Sequence, residues 1–258
     1  MFKNLKTASG LPLSFENGKI ALSEEAVSLP ASYREPEEAT PYFMDKDADF
    51  GTAWLYEMIR GVHFEKDKAV FEKNGLRYDI TNIRPGIAGG EFIKTIGHFH
   101  KDSSSEVYEV LSGEALFLFQ EIEGDKSYLI KAEPGEKVVI PPGFGHITIN
   151  PGKENLIVGD ISSIGMDPDY EFFKKSRGAK YYVIKAEGGF KVEKNGNYPM
   201  AGELKIGRPK EIPELGISFS EPLYASFVGN PEKFDFVRNT EKYASVLAPG
   251  NLFDFFGQ

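Results

Sequence analysis

Cysteine is absent from this 258-residue chain, which excludes disulfides, thiolate metal sites and cysteine nucleophiles. Histidine is scarce, with four residues, and there is one tryptophan. No apolar run approaches the ~18 residues of a membrane-spanning helix. The opening "MFKNLKTASGLPLSFENG" lacks the apolar core of a signal peptide. A cytoplasmic location without a membrane partner is therefore expected. Positive charge is not gathered anywhere: 30 Lys and Arg stand against 39 Asp and Glu, for a formal net charge of -9. No basic run tracks a phosphate backbone, so no nucleic-acid partner is expected. A small phosphate remains compatible, because hydroxyls and backbone N–H groups bind one locally.

Hydrophobic residues make up 41% of the chain, enough for a substantial core. From Tyr78 to Val192 the text alternates short β segments with Gly, Pro, Asn and Asp turns. "RYDITNI", "EFIKTIGHFH", "EVYEVL", "EALFLFQE", "SYLIK", "KVVI", "HITI", "NLIVGDI" and "KYYVIKA" are the expected strands. Many short strands at even spacing predict an all-β sandwich or barrel with a few short helices. The pattern of "FGTAWLYEMIRGV" predicts a helix near residues 50 to 62, capped by Asp49, though a strand also fits. A second helix is expected within "DPDYEFFKKSRG", residues 167 to 178. The domain plan is an arm over 1–50, a barrel over 51–195 and an extension over 196–258. That extension carries nine aromatics and five prolines after position 200, a density that predicts packing on the barrel or across a dimer.

Two of the four histidines fall in "TIGHFHKDSSSEVY". His98 and His100 are two apart, so on a strand both rings face one way, roughly 6–7 Å apart. Glu106 opens the next strand, and His146 follows the Pro-Pro-Gly turn of "PGEKVVIPPGFGHITIN". Three imidazoles and one carboxylate make a mixed N/O set suited to Fe(II), Mn(II), Ni(II), Co(II) or Zn(II). His63 has no such company and is read as structural.

These residues resemble the cupin superfamily. Its first motif, HxH, then Glu and x6-G, is met by His98, His100, Glu106 and Gly113. Its second, G-x5-PxG-x2-H-x3-N, is met by Gly135, Pro141, Gly143, His146 and Asn150. The resemblance implies a double-stranded β-helix, or jelly-roll, barrel with a bound metal. Upstream, "PGIAGGEFIKTIGHFH" followed by "EVY" is similar to the cupin-type glucose-6-phosphate isomerases, a likeness covering roughly residues 12 to 195.

That resemblance implies interconversion of glucose 6-phosphate and fructose 6-phosphate by a homodimer with one divalent metal per subunit, iron first, with manganese, nickel or zinc as alternatives. It implies metal ligation by His98, His100, Glu106 and His146, and a phosphate cradle from Thr81, Thr95, Gly97, Tyr56 and Tyr170. Tyr108 would line the sugar pocket, and Glu106 is the candidate base. Arg84 and Lys94 are surface cations that could add attraction for the anion. Thr95 has the opposite parity to the two histidines, so a bulge near Gly97 is required to bring all three into one pocket. Ser162 and Pro168 stand near the places where the family has a tyrosine and a histidine. That departure keeps another phosphosugar, such as mannose 6-phosphate, as an alternative substrate. A non-catalytic sugar-phosphate binder is a third reading, whereas oxygen chemistry leaves the threonine-rich approach unexplained.

Overall fold

A computed structural model describes residues 2–122 and 124–257. Its frame is two β-sheets that face each other across a shared interior. The first sheet contains β1 (Ser32–Arg34), β2 (Tyr56–Ile59), β3 (Leu76–Ile83), β5 (Glu106–Ser112), β8 (Lys137–Ile140) and β10 (Leu156–Ser163), in the order β8-β5-β10-β3-β2-β1. The second contains β6 (Ala115–Glu121), β7 (Ser127–Ala132), β9 (Phe144–Ile149), β11 (Leu204–Pro209) and β12 (Phe253–Phe255), in the order β9-β6-β7-β11-β12. Between them, β4 (Phe99–His100) pairs with Pro168–Asp169. Apart from the parallel pairing of β7 with β11, these pairings are antiparallel. This is the expected jelly-roll barrel, with short helices at its margins.

Every residue of β5 and β10 is buried, which requires cover on both faces of the first sheet. The inner cover is the facing sheet: the Tyr108 ring lies 5.4 Å from Phe117. Outer cover comes from late in the chain, where helix α2 (Leu223–Gly229) sets Tyr224 edge-on against Tyr78 at 5.6 Å. Phe71, Phe227, Phe234 and Phe236 continue that aromatic layer. Burying each such ring contributes on the order of 2–3 kcal/mol. Residues from both ends of the chain also join the barrel sheets, through β1 at one edge and β11 and β12 at another.

The helix expected near residues 50 to 62 is not formed. Pairing with β1 and β3 holds Tyr56–Ile59 as strand β2, and that pairing outweighs the local helical pattern. Glu57 turns outward, where it accepts from Ile20 N–H and Asn82 Nδ2, while Tyr56 and Met58 face the barrel cavity. Asp49 accepts from the Gly51 N–H in a turn rather than capping a helix. The second expected helix forms as α1 (Glu171–Lys175), shorter than its sequence pattern.

Candidate active site and its metal centre

The four candidate ligands are brought together from both sheets. His98 and His146 exchange backbone hydrogen bonds of 3.3 and 3.1 Å, which places their side chains together. His100 follows on β4, and Glu106 enters at the start of β5. The His98 and His100 Nε2 atoms are 3.1 Å apart. Glu106 Oε2 lies 3.3 Å from His100 Nε2 and 3.2 Å from His146 Nε2. Two donors each about 2.1 Å from a single cation lie roughly 3.0–3.4 Å apart, so these spacings fit one divalent ion.

Unsatisfied polar atoms support the fit. Glu106 Oε2 is buried within ion-pair distance of two imidazoles, yet neither contact is aligned as a hydrogen bond. A buried carboxylate oxygen left in that state is costly unless something cationic meets it. His100 Nδ1 lies 2.9 Å from the Ser104 carbonyl; donating there leaves its Nε2 lone pair aimed into the cluster. Burial, reinforced by the neighbouring imidazoles, holds His98 well below the ordinary imidazole value, and burial also lowers His146. For His100 burial is outweighed by Glu106 and the Ser104 carbonyl, and the value rises. Burial likewise opposes ionisation of Glu106, but His100 and His146 hold its carboxyl well below the usual carboxylate range. The donor set is an anionic carboxylate with imidazoles, which suits a borderline divalent metal.

A cavity of about 250 Å³ opens onto this cluster. Its wall includes His98, Glu106 and His146, with Tyr56, Thr81, Thr95, Gly97, Tyr108 and Tyr170. Every residue that the resemblance assigns to the metal, the phosphate or the sugar is therefore on the wall except His100. Tyr108 Oη lies 3.3 Å from His146 Nε2, and burial pushes its phenol well above the ordinary value, so it stays a neutral hydroxyl.

The required bulge is present. Thr95 N–H donates to Thr148 O, and the next bridge is His98 with His146. Three steps along one strand thus match two along the other, and the extra residue lets Thr95 share the pocket with His98. Gly97 sits there at φ +74°, and a Cβ on it would stand 2.4 Å from Ile147 Cγ1. Thr95 Oγ1 accepts the Thr148 N–H at 3.0 Å, leaving its own proton free to donate.

The two cations singled out from the sequence lie elsewhere. Lys94 is buried rather than at the surface; it pairs with Glu91 and faces the Phe43 ring at 4.5 Å. Arg84 covers Trp54 at 4.8 Å. The wall instead carries Arg34, Arg60, Arg77, Asp79 and Asp160, which the sequence reading missed. For the β3 and β10 residues a signal existed: Arg77 and Asp79 share the parity of Thr81, and Asp160 shares that of Ser162. Arg34 gave none, since only the long-range pairing of β1 with β2 brings it to Tyr56, whose Oη accepts its Nε–H at 3.2 Å. Burial raises the Asp79 carboxyl against the pull of Arg77, and burial with Glu106 and Asp79 raises that of Asp160 well above its ordinary value. Pro168 also lines the cavity, and the buried Ser162 hydroxyl has no partner among the described residues. His63 stays apart, its Nδ1 2.8 Å from Gly61 O.

The family model described as glucose-6-phosphate isomerase (GPI) matches residues 31–200. The chain belongs to this family. It is 30% identical over 201 residues to the glucose-6-phosphate isomerase of Thermococcus litoralis, covering 76% of this chain and 98% of that one. The Pyrococcus furiosus enzyme of the same name is 32% identical over 200 residues, with 74% and 96% covered. A putative glucose-6-phosphate isomerase 1 of Rhizobium meliloti is 29% identical over 147 residues, with 54% and 68% covered. Among solved structures, an oxalate oxidase in complex with glycolate overlays at TM-score 0.32 and 25% identity, spanning 37% of this chain and 46% of that one.

Proposed function

We propose that this family member is a metal-dependent aldose–ketose isomerase interconverting glucose 6-phosphate and fructose 6-phosphate in the cytoplasm. One observation carries the reading: a single cavity joins the His98, His100, Glu106 and His146 donors to a rim of hydroxyl, N–H and guanidinium donors. A divalent cation held by those four residues, iron being the first choice, would act as a Lewis acid toward oxygens on two adjacent carbons. Glu106 moves the proton between C2 of the aldose and C1 of the ketose, and its burial slows exchange of that proton with bulk water. Tyr108 donates to a sugar oxygen beside His146. At the rim, Thr81, the free proton of Thr95, the Gly97 N–H, Tyr56 and Tyr170 take the phosphate, with Arg34 as its counter-charge. A homodimer is the proposed assembly.

The test is a coupled assay on the purified protein with fructose 6-phosphate, run after chelation and again after adding Fe(II), Mn(II), Ni(II) or Zn(II). Loss on chelation and recovery with a metal is the expected result; no turnover with any of them would overturn the reading. Product identification covers a second reading, mannose 6-phosphate, kept as an alternative because Pro168, on the cavity wall, and Ser162 stand where the family has other residues. Deuterium entering C1 or C2 from D2O would support the Glu106 proton route. Light scattering tests the dimer.

A further inference from the structure

Across the first sheet, Tyr108, Asp160 and Asp79 are direct partners on β5, β10 and β3, so their side chains stand side by side on the cavity wall. Asp79 has partners of its own: the Gly61 N–H donates to it at 2.9 Å, and Arg77 Nε at 2.9 Å, unaligned as a hydrogen bond, and Arg60 at 4.0 Å lie within ion-pair distance. Asp160 is differently placed. It is 4% exposed, the Glu106 and Asp79 carboxyls disfavour its charge while Arg77 acts the other way, and no cation is paired with it in a salt bridge among the described residues. A side chain this buried, aimed into a cavity without a donor, is expected to meet one from the ligand.

We propose that Asp160, framed by Asp79, Arg60 and Arg77, reads the sugar's C3 and C4 hydroxyls and so determines which phosphosugar the site accepts. The inference rests on the isomerase reading and names the part of that site that selects the sugar. Carboxylate oxygens accept from hydroxyl protons, and guanidinium N–H groups donate to hydroxyl oxygens, so a correctly placed hydroxyl meets both. A site built this way rejects an analogue lacking the hydroxyl, because its own buried polar groups are then unpaired.

The test measures binding of fructose 6-phosphate and its 3-deoxy and 4-deoxy analogues by calorimetry, with metal content determined on the same samples. The wild-type protein is expected to prefer fructose 6-phosphate over at least one analogue by tenfold or more. Asp160→Asn should compress that preference to under threefold with metal content unchanged. Arg60→Gln, at a partly exposed position, should compress it as well and carries the test if Asp160→Asn does not fold. An unchanged preference in the folded variant, or loss of metal at unchanged preference, would overturn the proposal; the latter would make Asp160 a positioning residue for Glu106. A wild-type protein that turns over fructose 6-phosphate without discriminating the analogues also overturns it. Absence of turnover by the wild type would instead reject the isomerase reading.

Discussion

Two glutamates three residues apart on one strand are equally buried and differently provided for. Glu109 is 1% exposed; it pairs with Lys137 at 2.9 Å and accepts the Leu223 N–H at 2.9 Å. Lys137 in turn donates to the Gly135 and Glu221 carbonyls. Glu106 is 3% exposed, and its Oε2 has no aligned donor among the described residues. Odd spacing sends the two to opposite faces of β5. Outward lies the C-terminal layer, where the charge is matched and the contact fastens α2 to the barrel. Inward lies the cavity, where the charge is left for a cation. On this strand, complete satisfaction marks a structural ion pair and incomplete satisfaction marks the site.

The strongest way to break that contrast is to neutralise each carboxylate in turn. Glu106→Gln should lower isomerase turnover by a hundred- to ten-thousand-fold, the range expected for removing a proton carrier, while the thermal midpoint moves little. Glu109→Ala should do the converse. Leaving Lys137 buried and unpaired costs about 3–5 kcal/mol of stability, read by denaturant unfolding, with turnover per folded molecule nearly unchanged. The double variant Glu109→Leu/Lys137→Met should recover much of that loss, because it removes both charges together. Turnover that falls as far in Glu109→Ala as in Glu106→Gln would erase the distinction.

Acidity sharpens the same contrast. In the metal-free protein His100 is raised above the ordinary imidazole value near 6.5. Below its folded value it carries a proton that a cation must displace, and above it the lone pair is free. Metal affinity is therefore expected to fall by about tenfold per pH unit as pH drops through that value, as measured by competition with a chelator. Affinity flat between pH 8 and pH 5.5 would contradict the assignment of His100 as a ligand.

The inward half of this contrast was legible in the sequence and the outward half was not. His98, His100, Glu106 and His146 sit at spacings that strand periodicity converts directly into one cluster. The parity conflict at Thr95 announced the bulge. Glu109 and Lys137 carried no such signal, because their meaning depends on Leu223 and Glu221, about 85 to 115 residues later in the chain. Tyr56 was read as part of a helix for a related reason: strand β2 exists by virtue of pairing with β1 and β3, which no local window contains. Arg34 reached the cavity by the same long-range pairing. Local pattern thus reported chemistry held within a motif, and distant pairing decided what surrounds it.

The smallest predicted effect tests whether the bulge serves the phosphate or only the metal. Gly97→Ala places a methyl group 2.8 Å from the His146 carbonyl oxygen and asks alanine to hold φ +74°. The backbone strain alone is worth on the order of 1–3 kcal/mol, so the loop should shift rather than unfold. A shift turns Thr95 and the Gly97 N–H away from the rim while the His98–His146 bridge, one residue on, keeps its two hydrogen bonds. The expected result is a KM for fructose 6-phosphate raised by about tenfold, corresponding to ~1.4 kcal/mol, with kcat and metal content close to wild type. Thr95→Val should raise KM less, since it removes one hydroxyl and leaves the glycine turn intact. If Gly97→Ala loses metal in proportion to its loss of activity, the extra residue at Gly97 exists to place His98, and the phosphate role of Thr95 fails with it.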